Sequence, residues 1–169
     1  MNTNKTNKTN KFGKLFMDIA ERTGALSTCI RLKVGAIAVK DQRIISIGYN
    51  GSLPGHNNCC EERIYLGDEG TWVDENTIKE FPYTDDDGNH YKLKTKVTTL
   101  HAEENLLGKL AQSNESAKDA TIFITHEPCM NCSKTLAVSG VKAVYYKNEY
   151  RDVGGAEFLR SAGITAEKL

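Results

Sequence analysis

The chain has 169 residues, 39 % of them hydrophobic, and its 22 basic and 22 acidic side chains leave no formal net charge. That length suits one domain with a sizeable core, and the charge balance excludes the broad positive field of a protein that grips a nucleic-acid backbone, leaving room only for a local basic pocket. No apolar run nears the ~20 residues of a membrane span and the opening MNTNKTNKTNK has no signal-peptide core, so a cytoplasmic protein without membrane contact is expected.

Residues 1–11 repeat Asn, Thr and Lys without apolar partners and read as a disordered arm. Phe12, Leu15, Phe16, Ile19 and Ala20 then recur at helical spacing, and Gly24 closes that helix. The β-branched runs KVGAIAVK (33–40) and RIISIGYN (43–50), separated by Asp41 and Gln42, predict an antiparallel hairpin. GSLPGHNNCCEER (51–63) reads as a loop, and residues 64–96, polar and irregular, as an insertion within a single domain spanning 12–169. Beyond it the order is helix 101–112, strand 120–126, helix 129–139, strand 142–147, helix 154–162 and a short strand near Ile164. Strands alternating with helices predict an α/β protein, a three-layer α/β/α sandwich around a mixed sheet of about five strands.

The five cysteines, at 29, 59, 60, 129 and 132, leave one over under any full disulfide scheme. A reducing cytoplasm points instead to metal ligation or free thiols. EPCMNC (127–132) places Cys129 and Cys132 in the first turn of a helix that follows a strand, so both thiols can face one atom. A helix N-terminus also favours the thiolate that a metal needs. HAEENLLGKL (101–110) starts another helix on the same rim, where ligands of open α/β sheets bind. His101 is therefore the candidate third ligand, and three protein ligands are the number a catalytic zinc keeps, the fourth position being left for water. Glu103 can reach that water without entering the coordination shell and act as its acid and base. The pair H-x-E and P-C-x-x-C is the signature of zinc deaminases. A lone CxxC would fit a redox pair or half of a structural zinc site, and a lone HxE would carry almost nothing; together, with 27 residues between His101 and Cys129, they favour catalysis.

LHAEENLL and THEPCMNC, preceded by KVGAIAVKDQRIISIGYNGS, resemble the deoxycytidylate (dCMP) deaminase family, and most closely its phage members. The resemblance runs from about Phe12 to Gly163, apart from 64–96. It implies zinc-dependent hydrolysis of dCMP to dUMP, supplying dTMP synthesis, with water activated by zinc and Glu103 attacking C4. His101, Cys129 and Cys132 would hold zinc, Asn50 would bind the deoxyribose hydroxyl, and the Ala102 amide would meet the pyrimidine carbonyl. Thr125 and His126, ending their strand, are further candidates for substrate contact. Burying a 5′-phosphate requires a cation, and Arg151, with Tyr150 beside it, and Arg31 are the candidates.

The resemblance also implies a second, structural zinc on Cys29, Cys59 and His90. The acidic residue expected just before the HAE motif is absent, which leaves His56 or Cys60 as a fourth ligand, or the thiols as buried core residues. Enzymes of this type are hexamers activated by dCTP and inhibited by dTTP, each bound with magnesium. Gly51, Ser52, Asn57, Asn58, Glu61, Glu62 and Asn105 are the matching effector candidates. The implied location is the cytoplasm, that of the host for a phage protein. A polynucleotide deaminase would share the zinc residues but should carry a basic face, against which the acidic TDDDG stretch and zero net charge speak. A non-catalytic zinc module would have no use for Glu103.

Overall fold

The computed structural model describes residues 3–67, 75–151 and 154–169; Met1 and Asn2 of the expected arm and 68–74 of the expected insertion lie outside the described residues. The elements are α1 (Thr3–Gly24), β1 (Gly35–Lys40), β2 (Arg43–Tyr49), β3 (Glu61–Tyr65), α2 (Glu75–Lys79), β4 (Tyr83–Thr84), β5 (His90–Thr95), α3 (Ala102–Ala111), β6 (Thr121–His126), α4 (Met130–Val138), β7 (Ala143–Asn148), α5 (Gly155–Ser161) and β8 (Thr165–Lys168).

The two-residue period of β1 separates the layers. Ile37 and Val39 join Phe123 of β6 under Phe16, Met17 and Ala20 of α1. Ala36 and Ala38 join Ile122, Ile124 and Val144 on the opposite side, against Leu106 and Leu110 of α3, Leu136 of α4 and Leu159 of α5. One helix thus covers one face of the sheet and three cover the other. The sheet order is β2-β1-β6-β7-β8. β1 is antiparallel to both its neighbours, whereas β6, β7 and β8 are parallel and joined through α4 and α5. This is the mixed five-stranded α/β architecture expected from the sequence.

The hairpin turn puts Asp41 and Gln42 at φ 50° and 62°, the left-handed pair that a two-residue connection of this twist requires. α1 opens at Thr3 rather than near Phe12, so the arm expected to be disordered is continuous with the helix from Thr3. Extending an already nucleated helix fixes one residue per hydrogen bond, so a polar sequence does not by itself end it. The region read as an irregular insertion, together with the end of the stretch read as a loop, forms its own antiparallel sheet, ordered β3-β5-β4. Tyr91 of β5 pairs with Tyr65 and Tyr83 across its two ladders, with ring centroids 5.7 and 5.4 Å apart. No helix among the described residues is long and apolar enough to cross a membrane.

The registers bring one set of strand ends to a common rim. Gly35 pairs with Tyr49, Ala36 with Ile124, and His126 with Asn148, so residues 34, 50, 126 and 149 emerge together. A bridge between Gly51 and Leu100 carries His101 to the same edge. Close approach completes the placement: a Cβ on Gly48 would lie 2.1 Å from the Ala102 carbonyl oxygen, and one on Gly155 would lie 1.9 Å from that of Pro128. Only glycine lets α3 and α5 sit so near the segments that carry the rim.

Candidate active site

His101 and Cys129 are the N-cap residues of α3 and α4, both with extended backbone, so their side chains leave the helices toward the rim. The Glu104 carboxylate accepts the His101 amide N–H at 2.7 Å and fixes that end of α3. Nδ1 of His101 lies 3.6 Å from Sγ of Cys129 and 3.4 Å from Sγ of Cys132. The three donor atoms lie within 4.8 Å of one another, the sole such group of three metal-ligating side chains among the described residues. A tetrahedral zinc with Zn–S near 2.3 Å and Zn–N near 2.05 Å sets sulfur and nitrogen about 3.6 Å apart. The residues present therefore fit the metal.

Electrostatics agree with that donor set. Hydrogen bonds from Cys132 and then His101 lower the Cys129 pKa to about 3, so this sulfur is a thiolate at neutral pH. The Cys129 partner raises His101 to about 9, and the same thiolate, with burial, raises Cys132. Loading a metal would displace the protons of both. Glu103 is 4 % exposed, and burial raises its pKa to about 7.

His101, Ala102, Glu103 and Cys129 line a cavity of about 260 Å³ together with Asn50, Arg31, His126, Tyr150 and Arg151. Residues 10–148 match the family described as the cytidine and deoxycytidylate deaminase zinc-binding region. The chain belongs to that deaminase family. The deoxycytidylate deaminase of Enterobacteria phage T4 is 31% identical over 88% of this chain and 84% of its own length. ComE operon protein 2 of Bacillus subtilis is 30% identical over 94% and 71%. The structure of dCMP deaminase from the cyanophage S-TIM5 in complex with dCMP and dUMP is 38% identical, covers 94% of this chain and 97% of its own, and has a TM-score of 0.74.

In this deaminase Asn50 uses its side chain structurally: Oδ1 accepts the Val34 amide and Nδ2 donates to the Leu32 carbonyl, both at 2.8 Å. It thereby shapes the cavity wall and still retains one free N–H and one lone pair for a ligand. The Arg151 guanidinium lies 5.8 Å from the Tyr150 ring centre, and Arg31 Nη1 donates to Thr95 Oγ1. Thr125 lies outside the cavity lining; its hydroxyl accepts the Gly35 amide and meets His126 Nδ1.

Two expectations need correction. Cys29 is joined to Cys60 by a disulfide, with Cα atoms 5.2 Å apart, while Cys59 is exposed and directs Sγ to the Glu61 carbonyl. His90 lies instead beside Thr84 on the β4–β5 ladder. The structure therefore does not bring Cys29, Cys59 and His90 together for a second zinc, and the expectation of reduced thiols fails for Cys29 and Cys60. Among the effector candidates, Glu61 lines the same cavity as His101 and Glu103: it is buried, and the backbone of residues 30 and 31 donates to its carboxylate. Asn57, Asn58 and Glu62 are exposed, Ser52 is half-buried, and Gly51 is buried in its bridge to Leu100. The Asn105 side chain donates to the Tyr49 carbonyl.

Sequence reasoning missed three positions. Glu104 was findable as the third-position partner of a helix cap. Glu127 accepts the Ala156 amide and so ties the start of α5 beside the loop carrying Tyr150 and Arg151. Thr95 gives no local signal, because its partner lies 64 positions away.

Proposed function

We propose that this deaminase hydrolyses dCMP to dUMP and ammonia. The observation that carries the reading is the His101, Cys129 and Cys132 group beside a buried Glu103, at the wall of a cavity that also presents Arg31 and Arg151. When bound by these three residues, zinc supplies the Lewis acidity that activates water near neutral pH. Glu103 takes one proton from the attacking water and delivers it to N3, then takes the second from the hydroxyl newly bound to C4 and delivers it to the departing amino group, which leaves as ammonia; the task suits a carboxyl that titrates near neutrality. The Ala102 amide, at an open helix N-terminus, offers a donor to the pyrimidine carbonyl. His126 closes one side of the base pocket and Asn50 meets the deoxyribose hydroxyl. Arg151 and Arg31 neutralise the 5′-phosphate, with Tyr150 packed against the nucleotide.

Regulation is the second half of the reading. The protein assembles as a hexamer in which dCTP activates and dTTP inhibits, each with Mg²⁺, at the loop that follows Asn50, through Ser52, Asn57 and Asn58, and at Glu62 in the strand after it. The Asn105 bond to the Tyr49 carbonyl supports a coupling, since it joins the catalytic helix to the residue before Asn50. Steady-state ammonia release from dCMP, dCTP, deoxycytidine and cytidine, each with and without dCTP and dTTP, tests both halves. The expected result is strong preference for dCMP with opposite responses to the two triphosphates; nucleosides turned over as well as dCMP would refute the substrate, and flat responses the regulation.

A further inference from the structure

Arg31 sits in the stretch between α1 and β1, yet what holds it belongs to the three-stranded sheet. Glu61 is 6 % exposed, and its Oε1 accepts the amide N–H groups of Ile30 at 3.0 Å and of Arg31 at 3.1 Å. Thr95 is the cross-strand partner of Glu61 in the β3–β5 register, and its hydroxyl accepts a hydrogen bond from Arg31 Nη1 at 3.1 Å. One rung of the ladder thus grips the residue twice, its backbone through a carboxylate and its guanidinium through a hydroxyl. Asn50 holds the same stretch farther along, at Leu32 and Val34. Arg31, Glu61 and Thr95 all line the cavity that contains His101 and Glu103.

A guanidinium carries five N–H donors in a rigid fork. Thr95 occupies one of them, which leaves the rest of the fork to meet an anion while its direction is already set. A long side chain restrained beforehand loses less freedom when a ligand arrives. A carboxylate beside an incoming phosphate would oppose binding if it pointed freely into the cavity; here two amides direct its Oε1 into the wall.

We infer that Glu61 and Thr95 are positioning residues that present the Arg31 guanidinium to the substrate's 5′-phosphate, which makes the three-stranded sheet a specificity element of the catalytic cavity. This rests on the dCMP reading above. Its test compares kcat/KM on dCMP and on deoxycytidine, which lacks the phosphate, for the wild type and for R31Q, T95V, E61A and E61Q. R31Q lowers the dCMP-to-deoxycytidine ratio about 10- to 100-fold, the worth of charge-assisted hydrogen bonds to an anion. T95V and E61A lower it roughly three- to tenfold through misorientation, and neither adds to the loss once R31Q is present. E61Q keeps an acceptor oxygen and recovers most of the ratio. T95V and E61Q carry the test if E61A does not fold. Equal losses on both substrates, or a wild-type ratio in T95V and E61A, overturn the positioning role while leaving dCMP deamination standing. A wild-type ratio in R31Q removes Arg31 from the phosphate and overturns the inference as well. A wild-type protein that does not favour dCMP fails the functional reading itself, and the two failures are thereby told apart.

Discussion

Replacing Gly48 with alanine tests how strictly the seat of α3 sets the chemistry. The added Cβ would fall 2.1 Å from the Ala102 carbonyl oxygen and 2.6 Å from the Leu106 amide nitrogen. Non-bonded heavy atoms rest about 3.5 Å apart, so the helix or the strand must retreat by roughly 1 Å or more. Two energetic effects oppose each other. Alanine in a strand interior is favoured over glycine by about 0.5–1 kcal/mol through unfolded-state entropy, whereas overpacking a filled interface costs about 1–3 kcal/mol. Overpacking wins, with a net loss of about 1–2 kcal/mol and a fall in Tm of about 2–8 °C for a chain of this size. The effect on turnover is larger, because the clash lies at the first turn of α3, between His101 and Leu106, and a 1 Å misplacement of reacting groups can cost ~100-fold. Scanning calorimetry, steady-state kcat/KM on dCMP and zinc content per chain are the measurements. Activity falling far more than stability is the expected pattern; G48A with wild-type turnover would refute the claim that the β2–α3 contact holds the site in register.

Glu103→Gln preserves shape but cannot carry the proton, so turnover should drop by about 10²–10⁴-fold while zinc stays at one per chain. Activity within tenfold of wild type would remove Glu103 from the mechanism. The Cys29–Cys60 disulfide makes a countable prediction: alkylation of the denatured, chelator-treated protein without reductant should label three thiols, those of Cys59, Cys129 and Cys132, and reduction should raise the number to five. With its cysteines 31 positions apart, this link stabilises the fold by about 3–4 kcal/mol on loop-closure grounds. Five labelled thiols before reduction would overturn it.

What could be read from the sequence is what short-range periodicity and spacing encode. The β1–β2 hairpin is written in two alternating runs with a two-residue gap, and the His101, Cys129 and Cys132 group in two helix starts that follow β structure. The three-stranded sheet was missed although β5 alternates Lys92 and Lys94 with Tyr91 and Leu93, because β3 offers no matching alternation: Glu62 and Arg63 are adjacent and both exposed. Its ladder rests on cross-strand tyrosine pairs, and such pairs appear only once register is known. The hold of Glu61 on the stretch before β1 was hidden for a related reason. The family resemblance made Glu61 an effector candidate, but a buried carboxylate turns to the amide donors at hand, and those of residues 30 and 31 lie 31 and 30 positions away in sequence. The Cys29–Cys60 link was hidden because compartment arguments concern average redox state, whereas pairing depends on two Cα atoms meeting at 5.2 Å.

The adjacent acids of HAEE divide the labour of one helix turn by the direction in which each side chain leaves it. Glu104 is exposed and folds back to accept the His101 amide, which satisfies a backbone donor and steadies a metal ligand. Glu103 turns inward. At a helix N-terminus a carboxylate gains up to about 2 kcal/mol from the macrodipole, and a cationic His101 favours the charged form as well, so position in the helix alone would make Glu103 a strong acid. Burial outweighs both and raises the carboxyl to about 7. A group ionised far below neutrality would give up its proton too readily to protonate a departing amine, and one far above it would be too rarely ionised to accept a proton from water. The depth of the first turn of α3, held against β2 by the glycine at 48, therefore contributes to the raised pKa of Glu103 as well as to its place.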